Sequence, residues 1–189
     1  MITLYNADRC PYCVRVRLVL AGKGIEHEVH EIDLADRDPI LRRLNPRNKV
    51  PVVVHDDAVL TESAAINEYL EEVFPEPRMM PTDAQGRALV RRLMAAFDDL
   101  TDAYYDHRRS GNSLPELHAE LGALDGWLEH RPYLAGDELT LADPGYWPWI
   151  ARMQRMDIDL AQHANLSAWK ARLEARPEYA AELELTPVP

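Results

Sequence analysis

The stretch Ile2-Thr3-Leu4-Tyr5-Asn6-Ala7-Asp8-Arg9-Cys10-Pro11-Tyr12-Cys13-Val14 decides how the rest of the chain is read. A short apolar run and a polar turn lead to two cysteines. A helix-like run follows, carrying Val14, Val16, Leu18, Val19 and Ala21 and stopping at Gly22 to Gly24. Pro11 falls at a first helical position, where its missing N–H costs nothing. Cys10 therefore stands just ahead of the helix, and Cys13 lies one turn inside it. These are the only cysteines of the protein. A pair at this spacing is not a disulfide framework; it reads as redox-active or as half of a metal site. A zinc site would need His27 and His30 to converge on it from a strand, and no metal is expected.

Downstream, Ile25 to Ile32 is expected as a second strand, although Ile25, Val29 and Ile32 do not alternate cleanly. Asp38-Pro39 starts a short helix through Leu44, which Asn45-Pro46 stops. Lys49-Val50-Pro51-Val52-Val53-Val54 is a β-branched run expected as a buried strand. A proline at the head of a central strand calls for a special role. His55 to Ala58 is a hairpin turn, Val59-Leu60 begins a further strand, and Thr61-Glu62-Ser63 enters a helix to about Phe74. The order strand-helix-strand-helix-strand-strand-helix resembles the thioredoxin arrangement, whose final strand pair is antiparallel. In such folds that proline forms a cis peptide beside the cysteine pair, so Val50–Pro51 is expected to be cis.

Three prolines punctuate Phe74-Pro75-Glu76-Pro77-Arg78-Met79-Met80-Pro81, which reads as a linker. Beyond it strand signals vanish. Leu89, Leu93, Phe97, Leu100 and Tyr104 mark one long amphipathic helix, and Leu114, Leu117, Leu121, Leu124 and Leu128 mark another. Thr140 with Asp143 resembles a capping box for a third helix, carrying Trp147, Trp149, Ile150, Met153 and Met156. Two short helices, split by Pro177, are expected over 166–174 and 178–185. The expected architecture is an α/β domain over 1–75, a linker over 76–86 and an all-α domain over 87–189.

The hydrophobic fraction of 47% over 189 residues allows a real core. No apolar run reaches the roughly 18 residues of a membrane span, so no membrane partner is expected. The N-terminus begins a strand at once, without the pattern of a signal peptide, and a cytoplasmic location is the expectation. The formal net charge of −11 argues against nucleic acid, whose phosphates need clustered Lys and Arg. It does not exclude a local basic pocket, and Arg9, Arg15 and Arg17 surround the cysteines.

A thioredoxin-like half, a proline-rich linker and a helical half together resemble the cytosolic glutathione transferase superfamily. Four signatures carry the resemblance: Cys10-Pro11-Tyr12-Cys13, Asn45-Pro46 leading to Val50-Pro51, Glu62-Ser63 opening a helix, and Leu139 to Asp143. The first is the glutaredoxin active-site motif, so a two-domain glutaredoxin of transferase shape is implied. The omega class keeps only the first cysteine. The stringent starvation proteins look similar in Val50-Pro51, Glu62-Ser63 and the linker but typically lack the cysteine motif.

The resemblance implies glutathione as co-substrate and a homodimer. Cys10 would be the catalytic thiolate, stabilised at a helix start with Arg9 adding to the effect, and Cys13 a helper that can resolve the intermediate. Val50, beside Pro51, would pair its backbone with the cysteinyl part of glutathione. Glu62 would hold the glutamyl ammonium, Ser63 the α-carboxylate and Lys49 the glycyl carboxylate. For Glu62 and Ser63 a plain N-cap is the competing reading. The partner would be a mixed disulfide or small electrophile, in deglutathionylation or dehydroascorbate-type reduction. A conjugating transferase and a non-catalytic partner-binding regulator are the alternatives, and another low-molecular-weight thiol could replace glutathione. Tyr5 is expected to be structural and Trp127 and Trp169 to be core. Tyr104, Tyr105, His107, Trp147 and Trp149 fit either a second-substrate cleft or the core.

Overall fold

The computed structural model describes residues 1–36 and 38–185. Four strands, β1 (Ile2–Asn6), β2 (Glu28–Glu31), β3 (Val52–His55) and β4 (Ala58–Thr61), form one sheet in the order β2-β1-β3-β4. β1 runs parallel to β2 and antiparallel to β3, and β3 antiparallel to β4. The parallel pair needs a crossover, supplied by α1 (Pro11–Gly22); the antiparallel pair β3–β4 closes through Asp56-Asp57. The helices α2 (Pro39–Leu44) and α3 (Ser63–Val73) complete this half. The fold is a thioredoxin-like α/β unit followed by an all-helical unit: α4 (Ala84–Ser110), α5 (Leu114–Trp127), α6 (Ala142–Ile150), α7 (Ala164–Glu174) and α8 (Pro177–Leu185).

Two strands are shorter than the sequence suggests. β2 spans four residues rather than the run from Ile25 to Ile32, because it pairs only with Thr3 to Asn6 and lies exposed along the sheet edge. β3 begins at Val52 rather than Lys49. The Asn45 side chain accepts from Arg47 N–H at 3.0 Å and donates to the Lys49 carbonyl at 2.8 Å, folding 45–49 into a loop. The Val50–Pro51 peptide is cis, as expected, and so is Glu76–Pro77.

The helix expected to carry Trp147 through Met156 is two pieces. α6 ends at Ile150, the Arg152 N–H turns to the Trp149 carbonyl at 3.0 Å, and a 3₁₀ turn covers Met153–Met156. At its start the capping box is half formed. The Asp143 carboxylate accepts from Thr140 N–H at 2.8 Å, but the Thr140 hydroxyl also donates to it instead of capping a backbone N–H. Asp143 is fully buried and takes two more bonds, from Leu134 N–H at 3.0 Å and Trp169 Nε1 at 2.8 Å.

One apolar core runs through both halves. Leu4, Val14, Leu18 and Ile66 from the sheet side join Leu93, Phe97, Trp147, Trp149 and Tyr179 from the helical side. Polar bonds cross the same seam. Arg17 pairs with Glu182 at 2.6 Å, tying α1 to α8. Within the first half, Lys23, its side chain fully buried, pairs with Glu71 at 2.6 Å and donates to the Phe74 and Pro77 carbonyls, both at 2.8 Å. Glu71 in turn accepts from the Met79 and Met80 N–H groups, so one ion pair fixes the path of the proline-rich segment.

Trp147 and Trp149 are core, packed edge-on to Tyr179 at 5.1 Å and to Phe97 at 4.6 Å. Trp169 is buried as expected. Trp127 is not: it is half-buried, held by Arg92 and Arg131 at 4.7 and 4.6 Å from its ring, with Nε1 donating to the Leu134 carbonyl.

Candidate active site

Cys10 is the N-cap residue of α1, extended at φ −81° and ψ 117°. Its N–H donates to the Ala7 carbonyl at 2.9 Å, and its carbonyl accepts from Val14 N–H at 3.1 Å, so the turn before the helix holds it from both sides. Cys10 is half-buried; Cys13 is fully buried. The two thiols are unequal for that reason. The Cys13 thiol donates to Cys10, and with the backbone N–H groups of Cys13 and Tyr12 and the charge of Arg152 it holds the Cys10 thiol at about 6 against the ordinary 9.0, although burial opposes the shift. Burial, and the neighbouring Cys10, drive Cys13 strongly upward, so it stays protonated and keeps donating.

Arg152 belongs to the helical half, and nothing in the sequence pattern singles it out. Arg15 and Arg17, next to the cysteines in sequence, are engaged elsewhere. Arg17 donates to Glu182 and Asn6, and Arg15 is buried inside α1. The Arg15 guanidinium lies 3.7 Å from the Phe97 ring centre and 4.7 Å from that of Trp149. Its Nε donates to the Gly145 carbonyl at 2.7 Å and its Nη1 to the Ser63 hydroxyl at 3.4 Å. Burial lowers its pKa to about 10, which leaves it charged at neutral pH. A charged residue within the apolar run of α1 was its signal in the sequence.

Two cavities open near the start of α1, one lined by Tyr12 and the other by Arg9 and Pro11, the neighbours of Cys10 in the chain. A cavity of about 310 Å³ is lined by Tyr12, Arg15, Asn45, Lys49, Val50, Pro51, Glu62 and Ser63, with Phe97 and Asp98 from α4. It therefore gathers Lys49, Val50, Pro51, Glu62 and Ser63, which lie in two separate stretches of the sequence, before β3 and at the start of α3. Ser63 is the buried first residue of α3. Glu62 precedes it at φ +66°, a left-handed conformation that costs a non-glycine residue of order 1–3 kcal/mol and is found at ligand clamps. Its carboxylate accepts from Arg47 Nη1 at 3.2 Å at the exposed mouth.

On the other side of Pro11 a larger cavity of about 530 Å³ is lined by Arg9, Pro11, Tyr104, Tyr105, His107, Arg108, Arg152, Arg155, Met156 and Asp157. Of the aromatic and His residues that fitted either cleft or core, Tyr104, Tyr105 and His107 face this space. Tyr5 instead packs on His30 at 5.0 Å across the β1–β2 pair. Among the described residues no group of three or more His, Cys, Asp or Glu is arranged to hold a metal ion.

Known proteins share this layout. Residues 4–78 match the glutathione S-transferase N-terminal domain and residues 87–177 the glutathione S-transferase C-terminal domain. The chain is 30% identical over 186 residues to glutathione S-transferase omega-1 of Mus musculus, covering 93% of this chain and 78% of that protein. It is also 30% identical over 187 residues to a stringent starvation protein A homolog of Pasteurella multocida, covering 95% and 88%. A glutathione S-transferase of Methylobacterium radiotolerans, solved in complex with glutathione sulfonate, superposes with a TM-score of 0.83 at 27% identity, over 96% of this chain and 93% of that one. With both of its halves matched in order along the chain, the protein belongs to the glutathione S-transferase family.

Proposed function

We propose that the protein is a glutathione-dependent thiol–disulfide oxidoreductase with Cys10 as nucleophile. The observation that carries this reading is the unequal placement of the two thiols: Cys10 is the half-buried N-cap of α1, where the Cys13 thiol and backbone N–H groups lower its pKa, while Cys13 is fully buried behind it, which raises its own. The thiolate attacks the glutathionyl sulfur of a mixed disulfide. The substrate S–S bond breaks, a Cys10–glutathione disulfide forms, and the released thiolate takes a proton from water. A second glutathione thiolate then attacks that disulfide, regenerating Cys10 and leaving as oxidised glutathione. The two steps sum to disulfide exchange, with no other oxidant or reductant. Cys13, held protonated, is a poor attacking thiol, so release by a second glutathione outpaces internal resolution.

The smaller cavity suits glutathione. Its neutral and charged groups would meet the Val50 backbone ahead of Pro51, the Glu62 carboxylate, the Ser63 hydroxyl at the α3 start and Lys49 at the rim. Arg15, buried against Ser63, would add charge where the α-carboxylate lies. The positive φ of Glu62 supports a ligand role over a plain N-cap, which needs no such conformation. We extend the proposal to a glutathione-binding domain over 1–75 joined by a linker over 76–86 to a helical domain over 87–189, to a homodimer and to the cytoplasm. Among the described residues no helix is long and apolar enough to cross a membrane.

The test is reduction of a glutathione mixed disulfide. Cys10→Ser is expected to abolish it and Cys13→Ser to retain part of it. Undiminished turnover by Cys10→Ser would overturn the reading, and a wild type inactive on mixed disulfides would favour a partner-binding role.

A further inference from the structure

The larger cavity has a composition at odds with the rest of the molecule. The chain carries a formal net charge of −11, yet this space is lined by Arg9, Arg108, Arg152 and Arg155 together with His107, and its lining includes a single acid, Asp157. Arg9 and Arg108 stand at its exposed rim, Arg155 is half-buried and Arg152 lies deepest. Arg152 is 6% exposed, and its Nη1 donates to the Pro148 carbonyl at 2.5 Å while its Nη2 is buried without a hydrogen-bond partner. Nδ1 of His107 is likewise buried and unbonded. An unmet guanidinium N–H in a half-enclosed space costs free energy until an acceptor arrives. Arg155 adds to that cost, because its charge acts unfavourably on Arg152. Glu182 acts on Arg152 favourably from α8, but its carboxylate already takes the Arg17 guanidinium.

An oxyanion in this space would give the Arg152 Nη2 its acceptor amid the surrounding positive charge. Guanidinium forks bind carboxylates through paired N–H donors, and several forks around one cavity fit a molecule that carries more than one such group. The cavity begins at Pro11, directly after the nucleophile, whereas the residues proposed for glutathione line the other space. We infer that the half of the mixed disulfide released by Cys10 is a small thiol bearing two or more carboxylates, held by Arg108, Arg152 and Arg155. This inference rests on the thiol-transfer reading and adds its substrate class. The bond changes stay those given above; the leaving thiolate is the polyanionic one.

Two probes share the glutathionyl half and differ in the other: glutathione joined to mercaptosuccinate, and glutathione joined to 2-mercaptoethanol. The wild type is expected to favour the first by roughly tenfold in kcat/KM, the scale of one charge-assisted hydrogen bond. The preference is expected to fall with added salt, and to fall toward unity in Arg155→Gln and in the exposed-site variant Arg108→Gln. Taking the ratio of the two probes removes any general effect of a substitution on folding or on Cys10. A ratio at or below one, or a ratio unchanged in both variants, overturns the inference while leaving thiol transfer standing. If the wild type turns over neither probe, thiol transfer falls, and calorimetry on Cys10→Ser decides the cavity separately. Tighter binding of the mercaptosuccinate probe upholds it there, and equal binding of the two probes overturns it.

Discussion

Cys13 lies one helical turn behind Cys10, and its buried thiol donates to the Cys10 sulfur, so that one member of the pair keeps its proton while the other gives it up. Alkylation of Cys10 by iodoacetamide is therefore expected to rise with a midpoint near pH 6, with Cys13 unlabelled over the same range. Cys13→Ala, which removes the donor, is expected to move that midpoint up by about one pH unit or more, and Cys13→Ser, which keeps a hydroxyl, by less. The sign for stability follows from a folded-state value below the unfolded one. The contribution is complete above about pH 9 and is lost as pH falls through 6. Midpoints that coincide in all three proteins would remove Cys13 from the account.

Glu62 and Ser63 meet at the entrance to α3, beside Arg15 and Lys49. Glu62→Gln and Ser63→Ala are each expected to weaken glutathione binding by roughly tenfold, as the loss of one charge-assisted hydrogen bond does. Thermal stability should change little for the exposed Glu62. Calorimetric titration with glutathione, alongside melting curves, separates binding from folding; unchanged affinity in both variants would return the pair to an ordinary helix cap.

Lys23 and Glu71 form an ion pair with side chains 0% and 7% exposed. Lys23→Met is expected to destabilise the protein by about 3 kcal/mol, because it strands the Glu71 carboxylate and two carbonyl acceptors away from water. The charge-removing double variant Lys23→Met with Glu71→Leu should recover part of that loss. Urea unfolding gives both values, and additive losses would contradict the coupling.

Asp143 satisfies four donors from three segments, although burial pushes its carboxyl pKa up. Asp143→Ala leaves those donors unmet and is expected to cost about 3–5 kcal/mol, with Asp143→Asn costing less because it keeps one acceptor. The readout is the urea midpoint, together with Trp169 fluorescence as a local reporter of its lost Nε1 bond.

Much of this was legible in the chain itself, because it depended on neighbours in sequence. Cys10-Pro11 announced a helix start, the leucine repeats announced α4 and α5, and the β-branched run after Pro51 announced β3. The gathering of Lys49, Pro51, Glu62 and Ser63 followed from the family resemblance rather than from spacing. What stayed hidden depended on residues far apart. Arg152 acts on Cys10 from the opposite half, and no local pattern distinguishes it from the other arginines. The ends of β2 and β3 were misplaced because strand length is set by the partner strand and by the Asn45 side chain, neither of which hydropathy encodes. The size and apolarity of Trp127 point to core, but Arg92 and Arg131, distant or unremarkable in sequence, cover it at the half-buried surface.

The apolar core shared by the two halves has a consequence for how the protein comes apart. Val14 and Leu18 of the cysteine helix are packed in the same cluster as Phe97 and Trp149, so neither half can melt and leave the other its full complement of contacts. Unfolding is then expected to be a single cooperative event. Loss of the native state separates Arg152 from Cys10 at the same stroke, so the charge that Arg152 lends the thiol lasts only while both halves are folded together.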